Sequence, residues 1–249
     1  MTRKMVVTTF AVLALSAGAA WAQSVPAPIA AALKDPARPA AEASRDAVRK
    51  PGELLAWAGV RPGQKVADFV MGGGYFTRIL SAAVGPTGHV YAYQPAEFIQ
   101  YQASYGESQK TVAAAYKNVT PLTAPFAAMD LPDGLDLVLT VQNYHDLHLK
   151  PFAKDTAAKA NAEIFKSLKR GGAYVIVDHT AKAGSGLEPA DTLHRIDPAI
   201  VRKEVEAAGF RYEGELPLLK SSGDPLTANV FDPSIRGKTD QFALKFRKP

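Results

Sequence analysis

Cysteine is absent from all 249 residues. That excludes disulfides, thiolate metal ligands, a cysteine nucleophile and a lipid anchor on an N-terminal cysteine. Lysine is missing where a phosphate-binding loop needs it. The glycines at 72–74 run into Tyr75 and Phe76, not into the Lys-Ser/Thr pair of G-x-x-x-x-G-K-[ST]. The dinucleotide fingerprint G-x-G-x-x-G also fails: counted from Gly72 it meets Gly74 and then Thr77 in place of the third glycine. Strong charge of either sign is lacking too. With 29 Lys and Arg against 24 Asp and Glu, the chain carries a formal +5. The most basic stretch, "RGKTDQFALKFRKP", patterns as a strand with a solvated face, so no nucleic-acid partner is expected.

What is present begins with "MTRKMVVTTFAVLALSAGAAWAQS". A basic start (Arg3, Lys4), an apolar stretch and Ala20-Trp21-Ala22 have the order of a secretory signal cleaved before Gln23. The apolar stretch is too short and too rich in Ala, Ser and Gly for a stable spanning helix, so no membrane span is expected after cleavage. The expected location is periplasmic or secreted, and the net charge falls to +3 with the loss of Arg3 and Lys4. Residues 23–44, rich in Ala and Pro, read as a linker or wrapping arm with short helical pieces. Residues 45–249 are long enough for one α/β domain.

In that domain, short apolar runs alternate with helical patterns. Strands are expected at "QKVADFV", "GHVYAYQ", "LDLVLTVQ" and "AYVIVDH", with "VTPLTAP" as an edge strand because Pro121 lacks a ladder donor. Helices are expected over "RDAVRKPGELLAWAGV", broken near Pro51-Gly52, over "YFTRILSAAVG", within 96–117, over "TAAKANAEIFKSLKRGG" to a glycine stop, and over "IDPAIVRKEVEAAGF" with Asp197 as N-cap. "RYEGELPLL" and "DQFALKF" close the chain as an antiparallel hairpin. The pattern predicts a doubly wound, mostly parallel sheet. Ligands of such sheets lie outside the carboxyl ends of the strands, which singles out Asp68–Gly74, Gln94, Asn143–Asp146 and Asp178-His179.

The loop Asp68-Phe69-Val70-Met71-Gly72-Gly73-Gly74 fits the pattern acid-x-G-x-G-x-G, in which glycine lets the backbone approach a ligand closely. Together with "VQNYHDLH", "LKRGGAYVIVDH", "LHRIDPAIVRKEVEAAGF" and "VFDPSIRGKTDQFALKF", this loop makes the chain resemble a family of exported, predicted class I S-adenosylmethionine-dependent methyltransferases over roughly residues 40–249. The resemblance implies a Rossmann-like fold and S-adenosylmethionine as cofactor. It implies methyl transfer to a small-molecule or protein acceptor, and cofactor contacts from Asp68, Met71, Gly72, Gly73 and Gly74. Gln94, 26 residues after Asp68, stands where such enzymes offer an acid to the ribose, with Glu97 nearby; Asp130 stands where the family contacts adenine. Val70 replaces the usual first glycine. Asn143 and Tyr144 would hold substrate and cofactor, with His145 or Asp146 as general base.

Two other readings of the same residues stay open. His145, His148 and His179, with Asp146, could hold a divalent ion in a metal-dependent enzyme. Alternatively, the histidines tie buried loops together in a non-catalytic periplasmic binding protein on a degenerate methyltransferase fold. Arg45, Asp46 and Arg49 form a charged helix face that could close over a ligand carboxylate.

Overall fold

The computed structural model describes residues 24–249. The expected signal and its cleavage point before Gln23 lie outside the described residues. Seven strands form one sheet: β1 (Lys65–Phe69), β2 (His89–Pro95), β3 (Val119–Ala124), β4 (Leu135–Val141), β5 (Leu168–His179), β6 (Arg211–Glu215) and β7 (Gln241–Arg247). Their order is β3-β2-β1-β4-β5-β7-β6. The first five strands pair in parallel, and β7 runs antiparallel to both β5 and β6. The expected α/β Rossmann-like sheet is therefore present, and its closing pair is antiparallel. The pair is not a tight hairpin, because residues 216–240 intervene before β7 enters the slot between β5 and β6.

The near-continuous apolar runs of β4 and β5 reflect cover on both faces of the sheet. Leu137, Leu139, Val175 and Val177 join one core with Leu54, Leu55, Ile79 and Leu80. Their neighbours Leu135, Val138, Tyr174 and Ile176 join the other, with Phe69, Ile164 and Phe242. Successive side chains of a strand point to opposite faces, so a doubly covered strand calls for apolar residues on both. Pro121 sits in the edge strand β3 opposite Ala92, where its missing N–H costs least.

Helix Asp46–Arg49 gives way to Pro51–Ala58 at Lys50, whose φ of +48° breaks the run before the proline. Helix Pro198–Ala207 starts as expected, with the Asp197 carboxylate accepting from the Ala199 N–H at 2.9 Å. Some boundaries differ: β6 stops at Glu215, short of the "PLL" that closes the expected strand. Helix Thr156–Ser167 ends before "LKRGG", which belongs to β5. Pairing with β4 skips from Leu168 to Ala173, so Lys169–Gly172 loop out of the ladder instead of capping the helix. Within the arm, helix Ala27–Leu33 packs on helix Tyr75–Val84 and buries Ile29 completely. Among the described residues, no helix is long and apolar enough to cross a membrane.

Candidate functional site

β1 lies between β2 and β4, and the chain leaves it in opposite directions on its two sides. The crevice this opens at the carboxyl ends holds a cavity of about 1190 Å³. Asp68, Met71, Gly72 and Gly73 line it, together with Asn143, His145 and Asp146. The sheet thus gathers residues from the ends of β1 and β4, as strand-end reasoning expects.

The glycines do different work. Gly72 has φ of +56°, and a Cβ added to Gly72 or Gly73 would meet nothing within 4 Å. Those two residues form an open cradle. Gly74 does not line the cavity; with φ of +87° it opens helix Tyr75–Val84, and a Cβ there would lie 2.6 Å from Val112 Cγ2. Its role is packing. Val70 adopts φ of +61°, a conformation that is strained for a β-branched side chain. Such strain persists only where the surroundings hold it, and here the next residue, Met71, donates its N–H to the Tyr93 carbonyl at 2.9 Å.

Gln94 departs from its expected ribose contact. Its side chain is fully buried, and Oε1 accepts the Gly72 N–H at 2.9 Å. It fastens the cradle from behind and is not among the lining residues, while its Nε2 is a buried donor with no partner among the described residues. Glu97 does line the cavity, with Oε1 accepting from the Phe126 N–H at 3.1 Å. Burial pushes the Asp68 carboxyl up to about 6, although the Thr77 hydroxyl donates to it at 2.6 Å and Arg49 attracts its charge.

The charged face of the first helices splits. Arg45 and Arg49 line the cavity, whereas Asp46 is engaged by Arg38 at 2.7 Å and by the Tyr75 hydroxyl at 2.5 Å. Arg49 lies over the Tyr75 ring, 4.5 Å from its centroid, and donates to Gln142 Oε1 at 2.7 Å. Burial and the neighbouring Arg45 lower its pKa to about 10, so it stays cationic at neutral pH.

On the opposite wall, His145 Nδ1 lies 2.8 Å from Asp178 Oδ1, and its backbone N–H donates to Asp178 Oδ2 at 2.8 Å. His145 Nε2 faces Asp146 Oδ1 at 3.3 Å and His194 Nδ1 at 3.3 Å. Burial alone would lower the His145 pKa, but the charges of Asp178 and Asp146 outweigh it and push the group up to about 9. Burial likewise works to raise Asp178, and the adjacent His145 charge holds it below the usual carboxylate range. Asp146 is raised by burial. His179 also lines the cavity, is pushed down to about 4 by burial, and contacts Thr239 Oγ1 at 2.9 Å.

Three further expected residues lie elsewhere. Tyr144 is fully buried in the core under β4; its hydroxyl donates to Glu204 at 2.9 Å and accepts from Asn161 at 2.8 Å. It does not reach the cavity, because the turn after β4 sends Asn143 and His145 outward and Tyr144 inward. His148 is drawn to Glu204 at 3.0 Å, which removes it from the expected His145/His148/His179 group. Asp130 has its side chain 89% exposed beside Lys166, in a shallow hollow with Leu122 and Leu131 that is separate from the cavity. The chain meets the adenine-contact expectation there with a solvated loop.

His194 is the residue whose place in the site the sequence concealed. It lies 49 positions from His145 and is delivered by a short parallel bridge between Thr180 and Ile196 that extends β5. Gln142, with φ of +65°, and Phe231, stacked edge-on against His194 at 4.9 Å, also enter the cavity wall without a sequence signal.

No family model matches the sequence, and no curated protein matches it. Solved structures do. A SAM-dependent methyltransferase from Aquifex aeolicus is 20% identical with a TM-score of 0.57, over 82% of this chain and 98% of that one. Fibrillarin from Aeropyrum pernix, with natively bound S-adenosyl-L-methionine, is 14% identical with a TM-score of 0.50, over 75% and 67%. The chain has the class I methyltransferase fold. The same fold is shared by the [4+2]-cyclase SpnF, 14% identical with a TM-score of 0.54 over 82% of this chain and 81% of that one. At these identities a methyltransferase fold fixes the architecture, and the reaction must be argued from the side chains.

Proposed function

We propose that the cavity binds S-adenosylmethionine and that the protein transfers its methyl group to a small-molecule or protein acceptor. One observation carries the reading: the open cradle of Gly72 and Gly73 beside the buried carboxylate of Asp68, at the switch point of a methyltransferase-fold sheet. These residues fit the cofactor, since a side chain at either glycine would occupy space that stands open here. When bound, S-adenosylmethionine supplies an electrophilic methyl group. Asp68, Met71, Gly72 and Gly73 would hold it, Glu97 offers a carboxylate for hydroxyls, and Arg45 or Arg49 a cation for a carboxylate.

Asn143, His145 and Asp146 stand on the facing wall, where they receive an acceptor nucleophile. The proton it loses has Asp146 to go to, whose carboxyl pKa is raised by burial, while His145, cationic between Asp178 and Asp146, holds that carboxylate in place. The cavity, at about 1190 Å³, is at the large end for a small-molecule site and has room for the cofactor. We further propose that the protein acts outside the cytoplasm; the support is the signal-like order of residues 1–22.

The test is calorimetric titration of the protein with S-adenosylmethionine and S-adenosylhomocysteine, beside Gly73→Leu. Gly73 lies outside the left-handed region, so leucine fills the cradle without backbone strain. The expected result is a dissociation constant near micromolar, about −8 kcal/mol, lost in Gly73→Leu. A well-folded wild type that binds neither compound, or a Gly73→Leu variant that binds as tightly, refutes the reading.

A further inference from the structure

We infer that His145, Asp146 and His194 form a binding site for a divalent first-row transition ion on the wall of the cavity. Their ligand atoms all lie within 4.8 Å of one another. His145 Nε2 is 3.3 Å from both Asp146 Oδ1 and His194 Nδ1. Two donors bound about 2.1 Å from one ion, at angles between octahedral and tetrahedral, stand roughly 3.0–3.4 Å apart. The spacing already suits a shared cation.

The surroundings arrange the donors for it. Asp178, with side-chain exposure of 0%, holds His145 Nδ1 at 2.8 Å. A carboxylate on the far nitrogen fixes the ring and turns the Nε2 lone pair inward, as metal-binding histidines require. Asn143 Nδ2 donates to the second oxygen of Asp146 at 3.1 Å, which orients that carboxylate.

Counting donors and acceptors leads to the same place. With its Nδ1 proton given to Asp178, His145 presents Nε2 to a carboxylate oxygen and to a second imidazole nitrogen. A proton on His145 Nε2 is shared poorly between two partners that both stand 3.3 Å away, whereas an ion that displaces it binds all three donors at once.

The donor set selects the ion. Two imidazoles and one carboxylate suit Zn²⁺, Mn²⁺, Fe²⁺ or Co²⁺; Mg²⁺ and Ca²⁺ want oxygen alone, and the chain has no thiolate for a softer ion. Three protein ligands leave positions open, and because all three residues line the cavity, those positions are available to its contents. This set differs from the His145/His148/His179 group expected from the sequence, and the inference does not depend on cofactor binding.

The experiment uses tag-free protein, dialysed against chelator and then freed of it, titrated with Co²⁺ and Zn²⁺ without S-adenosylmethionine. Calorimetry reads stoichiometry, and the visible d–d bands of Co²⁺ report nitrogen and oxygen ligation. One ion per chain with micromolar affinity or tighter is expected. His194→Gly keeps the backbone φ of +54° accessible and should weaken binding a hundredfold or more. Asp178→Asn, a positioning change, should weaken it by about 10–100-fold with the stoichiometry kept. His89→Gln, at the start of β2 and against Thr120, should change nothing. Absence of stoichiometric binding by folded wild type, or equal affinity in folded His194→Gly, overturns the inference. Failure to bind S-adenosylmethionine would leave it standing.

Discussion

Replacing Asp68 with asparagine should make the protein more stable and a poorer binder. The folded chain buries Asp68 to 3% exposure and raises its pKa from 3.8 to about 6, chiefly through lost hydration of the charged form. The sign follows from proton binding. The folded state holds this proton more tightly than the unfolded chain, so stability is greatest below 3.8 and falls as pH rises to about 6. At about 1.4 kcal/mol per pH unit, the ionised carboxylate costs the native state up to about 3 kcal/mol at neutral pH. Asparagine keeps the shape, and its carbonyl still accepts from Thr77, which now donates at 2.6 Å. Asp68→Asn should therefore gain about 1–3 kcal/mol at pH 8, a rise of roughly 2–10 °C in Tm, and nearly nothing at pH 4. Urea unfolding of both proteins at the two pH values reads this directly. An equal gain at both, or a loss at pH 8, would show that the buried charge is not what strains the site. The same substitution removes a charged acceptor facing the cavity and should weaken S-adenosylmethionine by about tenfold or more.

Other positions separate architecture from chemistry. Tyr144→Phe should cost about 1–2 kcal/mol in denaturant unfolding, because Glu204 and Asn161 lose a buried partner, while cofactor affinity stays unchanged. Gly74→Ala, which drives a Cβ to 2.6 Å from Val112 at φ of +87°, should destabilise by about 2–4 kcal/mol; Gly72→Ala, facing open space, should cost only about 1–2. Arg195 and Asp224 pair at 2.8 Å with 0% exposure on both sides, so Arg195→Ala should cost about 3–5 kcal/mol by chemical denaturation. N-terminal sequencing of protein recovered from outside the cytoplasm should begin at Gln23; an intact Met1 on such protein would remove the export reading.

Much of the fold was legible because a doubly covered parallel sheet writes itself in short apolar runs. "LDLVLTV" and "AYVIV" became β4 and β5, and Asp197-Pro198 marked a helix start that the Ala199 N–H confirms. "LKRGG" misled, since basic residues and glycines are as much at home in a strand that loops out as at a helix end. The strand-end rule brought Asp68, Val70–Gly73, Asn143, His145, Asp146 and His179 to one cavity. It could not say which way a side chain turns. Gln94 and Tyr144 occupy the right places in the chain and point the wrong way for ligand contact, toward Gly72 and into the core respectively.

By itself the amino-acid order determined the alternation of strand and helix, the glycine cradle after β1 and the supply of carboxylates and imidazoles at strand ends, because these depend on periodicity and local backbone freedom. Tertiary structure alone decided which of those groups meet. His194 reaches His145 across 49 positions through the Thr180–Ile196 bridge, and His148 is lost to Glu204 on a distant helix. Proximity between remote residues is set by how strands order and helices pack, and no spacing along the chain encodes it.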